Sequence, residues 1–168
     1  MAITLVILGL VLSWAIYAYN RLVRDKARVE TAWSDIGVQL KRRHDLIPKL
    51  VTAVKQYASY ESATLEAVTT IRTQDLNAAK SSQEEKAITN DLKKLIALAE
   101  QYPDLKADQA FLDLQKNLSH VEHHLQYARR YYNGAVRNLN IRVDSFPDTF
   151  IAKLFNFSKA NFFEFDNT

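Results

Sequence analysis

The chain has no cysteine at all, so disulfides, thiolate zinc sites and cysteine nucleophiles are excluded together. Glycine and proline are almost as scarce, with three of each in 168 residues. So few turn formers argue against a many-stranded sheet and for a helical protein. Charge of one sign is lacking too, since the net charge is only +3. A balance that small gives no electrostatic footprint for nucleic acid, and none is expected as a partner. Serine-nucleophile, phosphate-loop and nucleotide-fold signatures are missing, so no catalytic residues and no cofactor are assigned, and the chain is read as non-enzymatic.

What the sequence does contain is a long apolar run at its start, AITLVILGLVLSWAIYAY from Ala2 to Tyr19, with no charged side chain before Arg21. At about 1.5 Å per residue that run makes a helix of roughly 27 Å, close to the ~30 Å hydrocarbon thickness of a bilayer. No Lys or Arg precedes the run, and Tyr19-Asn20-Arg21-Leu22 follows it instead of a small-residue cleavage pattern. A retained transmembrane anchor over residues 1–20 is therefore expected. Trp14, Tyr17 and Tyr19 fall at its exit end, where aromatic rings favour the headgroup layer. Arg21, Arg24, Lys26 and Arg28 come next, and a basic flank of this kind stays in the cytoplasm. The expected topology is a single-pass protein of the cell membrane, N-terminus outside and the rest cytoplasmic, with the basic residues near anionic lipid of the inner leaflet.

Beyond the anchor, Val29, Trp33, Ile36, Leu40, Ile47, Leu50, Val54, Tyr57, Val68 and Ile71 recur at spacings of three and four. That spacing predicts an amphipathic helix of coiled-coil type. Pro48 interrupts the run, and Asp45 offers an N-cap just before it. The apolar register stays in phase across the proline, which favours a bent but continuous helix over a reversal. Ser81-Ser82-Gln83-Glu84-Glu85 marks a new helix start, and Ile88, Leu92, Leu95, Ile96 and Ala99 carry that helix to Tyr102-Pro103. Asp104 is expected to cap a last long helix running through Phe111, Leu118, Leu125, Tyr132 and Leu139 to just before Pro147. The fold class that follows is all-α: the transmembrane helix, then an antiparallel bundle of three to four long helices over residues 21–146.

Residues 147–168 differ in character. With Phe146 they hold seven of the eight phenylalanines of the chain. Phe150, Ile151, Leu154 and Phe155 suit a short amphipathic helix, and Phe157, Phe162, Phe163 and Phe165 an irregular segment. Two roles stand open for this tail: packing back on the bundle, or offering Phe150, Phe155, Phe157, Phe162, Phe163 and Phe165 to a partner, a second copy or the membrane interface.

Three polar groups have chemistry to weigh. His120 and His124 lie one helical turn apart and form a weak candidate for divalent-metal chelation, although the glutamate of a His-Glu-x-x-His arrangement is absent. Lys41, Arg42, Arg43 and His44 are read as a solvated helix face or an anion-binding patch. Tyr131 and Tyr132, flanked by Arg129, Arg130 and Asn133, are read either as a polar recognition patch or, the favoured reading, with Tyr132 packed inward and Arg129 and Asn133 tying helices together by hydrogen bonds.

The segment Tyr19-Asn20-Arg21-Leu22-Val23, followed by Trp33-Ser34-Asp35-Ile36-Gly37 and Arg43-His44-Asp45-Leu46-Ile47-Pro48, resembles the LemA family of bacterial membrane proteins. The later block Ala128-Arg129-Arg130-Tyr131-Tyr132-Asn133-Gly134, with Phe146-Pro147 and Phe155-Asn156-Phe157, is similar to that family's C-terminal signature, except that Asn156 stands where glycine is expected. The resemblance implies a long-helix bundle behind one membrane span, no established enzymatic activity, and either a membrane-organising or an adaptor role. The expected function is thus a self-associating scaffold that organises or remodels membrane or membrane-protein assemblies. The alternatives are an adaptor for a membrane protease or signalling protein and, less favoured, a His-based metal-binding protein.

Overall fold

The computed structural model describes residues 1–57 and 82–163. Val68, Ile71, Ser81 and Phe165 lie outside the described residues. Within them every regular element is helical: α1 (Ala2–Tyr57), α2 (Ser82–Ala99), α3 (Pro103–Ala107), α4 (Gln109–Asp144) and α5 (Asp148–Leu154). The expected all-α class, a long apolar N-terminal helix followed by further helices, is what the chain adopts.

α1 passes through Pro48 without a break, so the continuous alternative holds. A proline inside a helix removes the donor for the carbonyl four residues back, here that of His44. Pro48 itself is exposed, while Ile47, Leu50, Val51 and Val54 are buried. Their packing offsets the roughly 3 kcal/mol that an interior proline costs.

The expected start of the last long helix is corrected. Pro103 occupies the first turn of the separate short α3, with Asp104 beside it. The cap of α4 is Asp108, whose Oδ1 accepts a hydrogen bond from the Phe111 N–H at 2.9 Å. This aspartate-to-third-residue bond is the standard N-cap, typically worth about 1 kcal/mol. α4 ends at Asp144, ahead of Phe146-Pro147.

The chain divides into two compact units. In the unit that includes residues 38–57 and 82–125, Ile47, Leu50, Val51 and Val54 of α1 pack with Leu92, Leu95 and Ala99 of α2, Leu105 of α3, and Phe111 and Leu118 of α4. The other unit comprises Met1–Gly37 and Gln126–Phe163. Here the buried positions of α1 are Ala18, Leu22, Asp25, Val29, Ala32 and Ile36, one stripe at alternating spacings of four and three. α4 contributes Ala128, Tyr132, Val136 and Leu139, and it runs antiparallel to α1, pairing Arg142 with Asp25 and Tyr132 with Trp33. Trp33, expected in the core, is 53 % exposed, because Ala32 takes the inward position. Its ring lies on the flank of the seam, 5.3 Å from Tyr132 and 6.3 Å from Phe163.

Candidate membrane-facing site

The apolar run of α1 is uncovered. Only 6 % of its most apolar 18-residue stretch is buried, although the helix is long and apolar enough to cross a membrane. Ile3, Leu5, Val6, Ile7, Leu8 and Leu10 all present their side chains outward. A soluble helix does not leave such a surface open, because each exposed aliphatic side chain forgoes about 1.5–3 kcal/mol of burial.

Cover begins at Trp14. There Trp14 and Ala15 pack with Ala18 and Leu22 against Ile151 and Ala152 of α5, together with Val143 and Phe157. Tyr17 and Tyr19 are exposed, and Tyr19 stacks at 4.8 Å on Phe155 and 5.8 Å on Phe157. The basic residues Arg21, Arg24, Lys26 and Arg28 are also exposed. Arg21 lies 6.0 Å over the Tyr17 ring. The aromatic residues and the cations thus occupy the turns directly after the bare surface. That is the arrangement a membrane interface favours.

Just past these turns lies a buried ionic cluster that the sequence reading missed. Asp25, 4 % exposed, occupies a seam position of α1 and pairs with the Arg142 Nε; Arg28 approaches it at 3.4 Å. Arg142 also reaches Asp148 at 3.4 Å, tying the first turn of α5 to α4. These groups, with Arg21, Asn138, Ile141 and Ser145, line a cavity of about 400 Å³.

The tail follows a course that the sequence explains. After Leu154 the chain reverses at Asn156, whose φ is +56°. The Phe157 N–H donates to the Ala152 carbonyl at 2.8 Å and the Asn156 N–H to that of Lys153 at 3.4 Å, the paired bonds of a Schellman C-terminus. Asparagine supplies the left-handed residue where glycine was expected, since its short polar side chain tolerates that backbone. Beyond the turn, residues 157–163 run back along α4. The Asn140 side-chain amide bonds both the N–H and the C=O of Ala160, each at 2.9 Å. Asn133 does the same to Phe163, at 2.7 and 2.9 Å. Tyr132, buried as expected, donates to the Asn161 carbonyl at 2.9 Å, and its burial raises the phenol above its usual pKa. The Arg129 guanidinium lies 4.8 Å over the Phe163 ring.

The tail phenylalanines accordingly divide. Phe157 and Phe163 are half-buried within their unit, whereas Phe150, Phe155 and Phe162 keep more than half their surface exposed.

In the other unit, Arg43 overturns its assignment to a solvated or anion-binding face. It is 3 % exposed and pairs through Nε with Glu122 at 2.7 Å and through Nη2 with Thr89 at 2.5 Å. Burial lowers its pKa and Glu122 opposes that shift. Lys41 and Arg42 are exposed and His44 half-buried. His120 and His124 do meet, with their Nε2 atoms 2.9 Å apart at the surface. Among the described residues, however, no group of three or more His, Cys, Asp or Glu is placed to hold a metal ion.

The chain is 28 % identical over 138 residues to Protein LemA of Metamycoplasma hominis, covering 80 % of this chain and 63 % of that one. Magnetosome proteins MamQ 1 and MamQ 2 of Paramagnetospirillum magneticum are each 22 % identical over 175 residues, covering 87 % of this chain and 64 % of theirs. The chain therefore spans just under two thirds of the length of these curated relatives, and none of the three is named as an enzyme. Residues 32–168 match the LemA family as a whole, and the chain belongs to that family.

Proposed function

We propose that this LemA-family chain is a single-pass membrane protein that acts as a non-enzymatic scaffold. Residues 2–19 cross the bilayer, Arg21, Arg24, Lys26 and Arg28 meet anionic headgroups of the inner leaflet, and the helical body self-associates to organise neighbouring membrane proteins. The observation that carries this proposal is the uncovered apolar run of α1, which ends in exposed tyrosines and then exposed cations. Self-association draws its support from Trp33, Val38, Tyr127 and Tyr131, large apolar side chains left exposed on α1 and α4.

Two measurements test the proposal. In protease protection of intact spheroplasts, a cytoplasmic body stays uncut until the membrane is opened; cleavage beforehand refutes the topology. Light scattering in detergent must give a mass that is a multiple of 19.3 kDa after detergent subtraction. A monomer at every concentration removes the self-associating part. Crosslinking in cells that captures one dominant foreign partner favours the adaptor alternative over the scaffold.

A further inference from the structure

We propose that the turn Lys153–Asn156 is a second membrane contact, which inserts Leu154 and Phe155 into the interfacial layer of the leaflet that receives Tyr19. The inference rests on the membrane-spanning role of α1.

The turn is bare, and the helix that leads into it is packed. Inward, Ile151 and Ala152 are buried on Ala18 and Leu22. Outward, Leu154 is 72 % and Phe155 53 % exposed, next to each other at the point where the chain reverses. Reversal at Asn156 makes these residues an apex rather than part of a continuing helix, and the hydrogen bonds from Phe157 to Ala152 and from Asn156 to Lys153 hold it rigid. An apolar apex that is held in place, rather than loose, is a surface retained for contact.

Its position along α1 selects the contact. Tyr19, which meets Phe155 and Phe157, and Trp14 and Ala15, which pack on the same buried cluster as Phe157, form the last turns of the apolar run. A bilayer that takes up this run has its headgroup boundary at Trp14 to Tyr19, and a ring 4.8 Å from Tyr19 lies at the same depth. The bare faces of Leu154 and Phe155 then continue the lipid-facing surface of α1 sideways. Lys153, exposed within the apex, and Arg21 and Arg24 on the adjoining turns supply cations for phosphate headgroups, as an interfacial segment requires. A protein partner at this depth would need to displace lipid from both surfaces at once.

The absence of cysteine makes the test direct. Full-length L154C, K153C, L10C and D113C variants are each spin-labelled and reconstituted in vesicles of phosphatidylcholine with phosphatidylglycerol. Collision of the label with oxygen is compared with collision with a water-soluble nickel chelate. Leu154 and Lys153 are exposed, so labelling there leaves the packing intact. The expected result is a ratio of oxygen to nickel accessibility at 154 severalfold above that at 113 and below that at 10, with 153 shallower than 154. If 10 is immersed while 154 matches 113, the inserted turn is refuted and the anchor stands. If 154 is shielded from both reagents, protein covers it and the inference also fails. If 10 itself is aqueous, the anchor and the inserted turn fall together.

Discussion

Replacing Asn140 by leucine should release the tail from α4. The Asn140 amide accepts from the Ala160 N–H and donates to the Ala160 C=O, both at 2.9 Å. Only one orientation of the amide satisfies both contacts, because a flip sets oxygen against oxygen and nitrogen against nitrogen. Each bond contributes a net ~1 kcal/mol, so losing both weakens local attachment by about 2 kcal/mol. Exchange of the Ala160 amide proton should then speed up about 30-fold, at a factor of ten per ~1.4 kcal/mol. The Asn140→Asp variant separates the two bonds: it keeps the acceptor for the N–H but sets a carboxylate against the carbonyl. It should protect the Ala160 amide better than Asn140→Leu while still loosening the tail. The Asn133 amide grips Phe163 in the same way, so Asn133→Leu should accelerate exchange at Phe163 first. An unchanged Ala160 rate in Asn140→Leu would refute the strap, showing that aromatic packing alone holds the tail.

Further outcomes follow from single sites. At Asn156, φ of +56° costs an ordinary L-residue about 1–2 kcal/mol, so Asn156→Val should lower the thermal midpoint whereas Asn156→Gly holds or raises it. Glu122→Ala leaves the buried Arg43 guanidinium without its carboxylate and should destabilise by up to about 3 kcal/mol in denaturant titration. That is the lower end for a broken buried pair, since Glu122 is 32 % exposed; the double change Arg43→Met with Glu122→Leu should recover most of the loss. Tyr132 has a pKa raised above 10.0 by burial. Its contribution is therefore complete below the unfolded value and is lost as pH rises through the raised folded value, when the phenolate no longer donates to Asn161. Alkaline titration should show a late component from Tyr132 that coincides with tail release and is lost in Tyr132→Phe, while Tyr57, raised by its hydrogen bond to Asp108, still titrates late in that variant.

Periodicity made much of this fold legible, because apolar spacing of three and four is visible without coordinates. It located the uncovered run, the short helix that holds Phe150, Ile151 and Leu154, and the inward Tyr132, while at Pro48 it left a bend and a reversal both open. What it misjudged were charges inside the seam. Asp25 falls in the series Ala18, Leu22, Asp25, Val29, where no role was assigned to it, and Arg43 in the series Ile36, Arg43, Ile47, Leu50, although its charge placed it on a solvated or anion-binding face. A charge at a seam position signals a partner on the facing helix, which Arg142 and Glu122 supply. Trp33 was misplaced for the opposite reason: alanine carries a weak hydrophobic signal, so Ala32 was passed over for its larger neighbour. Asp104 and Asp108 are equally good caps by residue type, and only the hydrogen bond from Phe111 decides between them.

The two roles of the first turns of α1 bear on how a membrane-bound body would be held. The family match begins at residue 32, yet the matched C-terminal segment packs on residues before it: Ile151 and Ala152 on Ala18 and Leu22, and Arg142 on Asp25. Residues 18–29 therefore present two faces at once. Ala18, Leu22, Asp25 and Val29 are buried in the unit, while Arg21, Arg24, Lys26 and Arg28 are exposed, Arg28 reaching back to Asp25. α1 runs through this region as one unbroken helix, with no glycine or proline between Gly9 and Gly37. A flexible tether would let the body tumble beneath the bilayer. Here the helix that the proposed anchor belongs to is also the helix on which α4, α5 and the tail are assembled, so any tilt of a membrane-inserted span would be imposed directly on that unit. Rigid coupling of this kind is what makes a fixed depth for Phe155 physically reasonable, since no hinge stands between the anchor and the turn that packs against it.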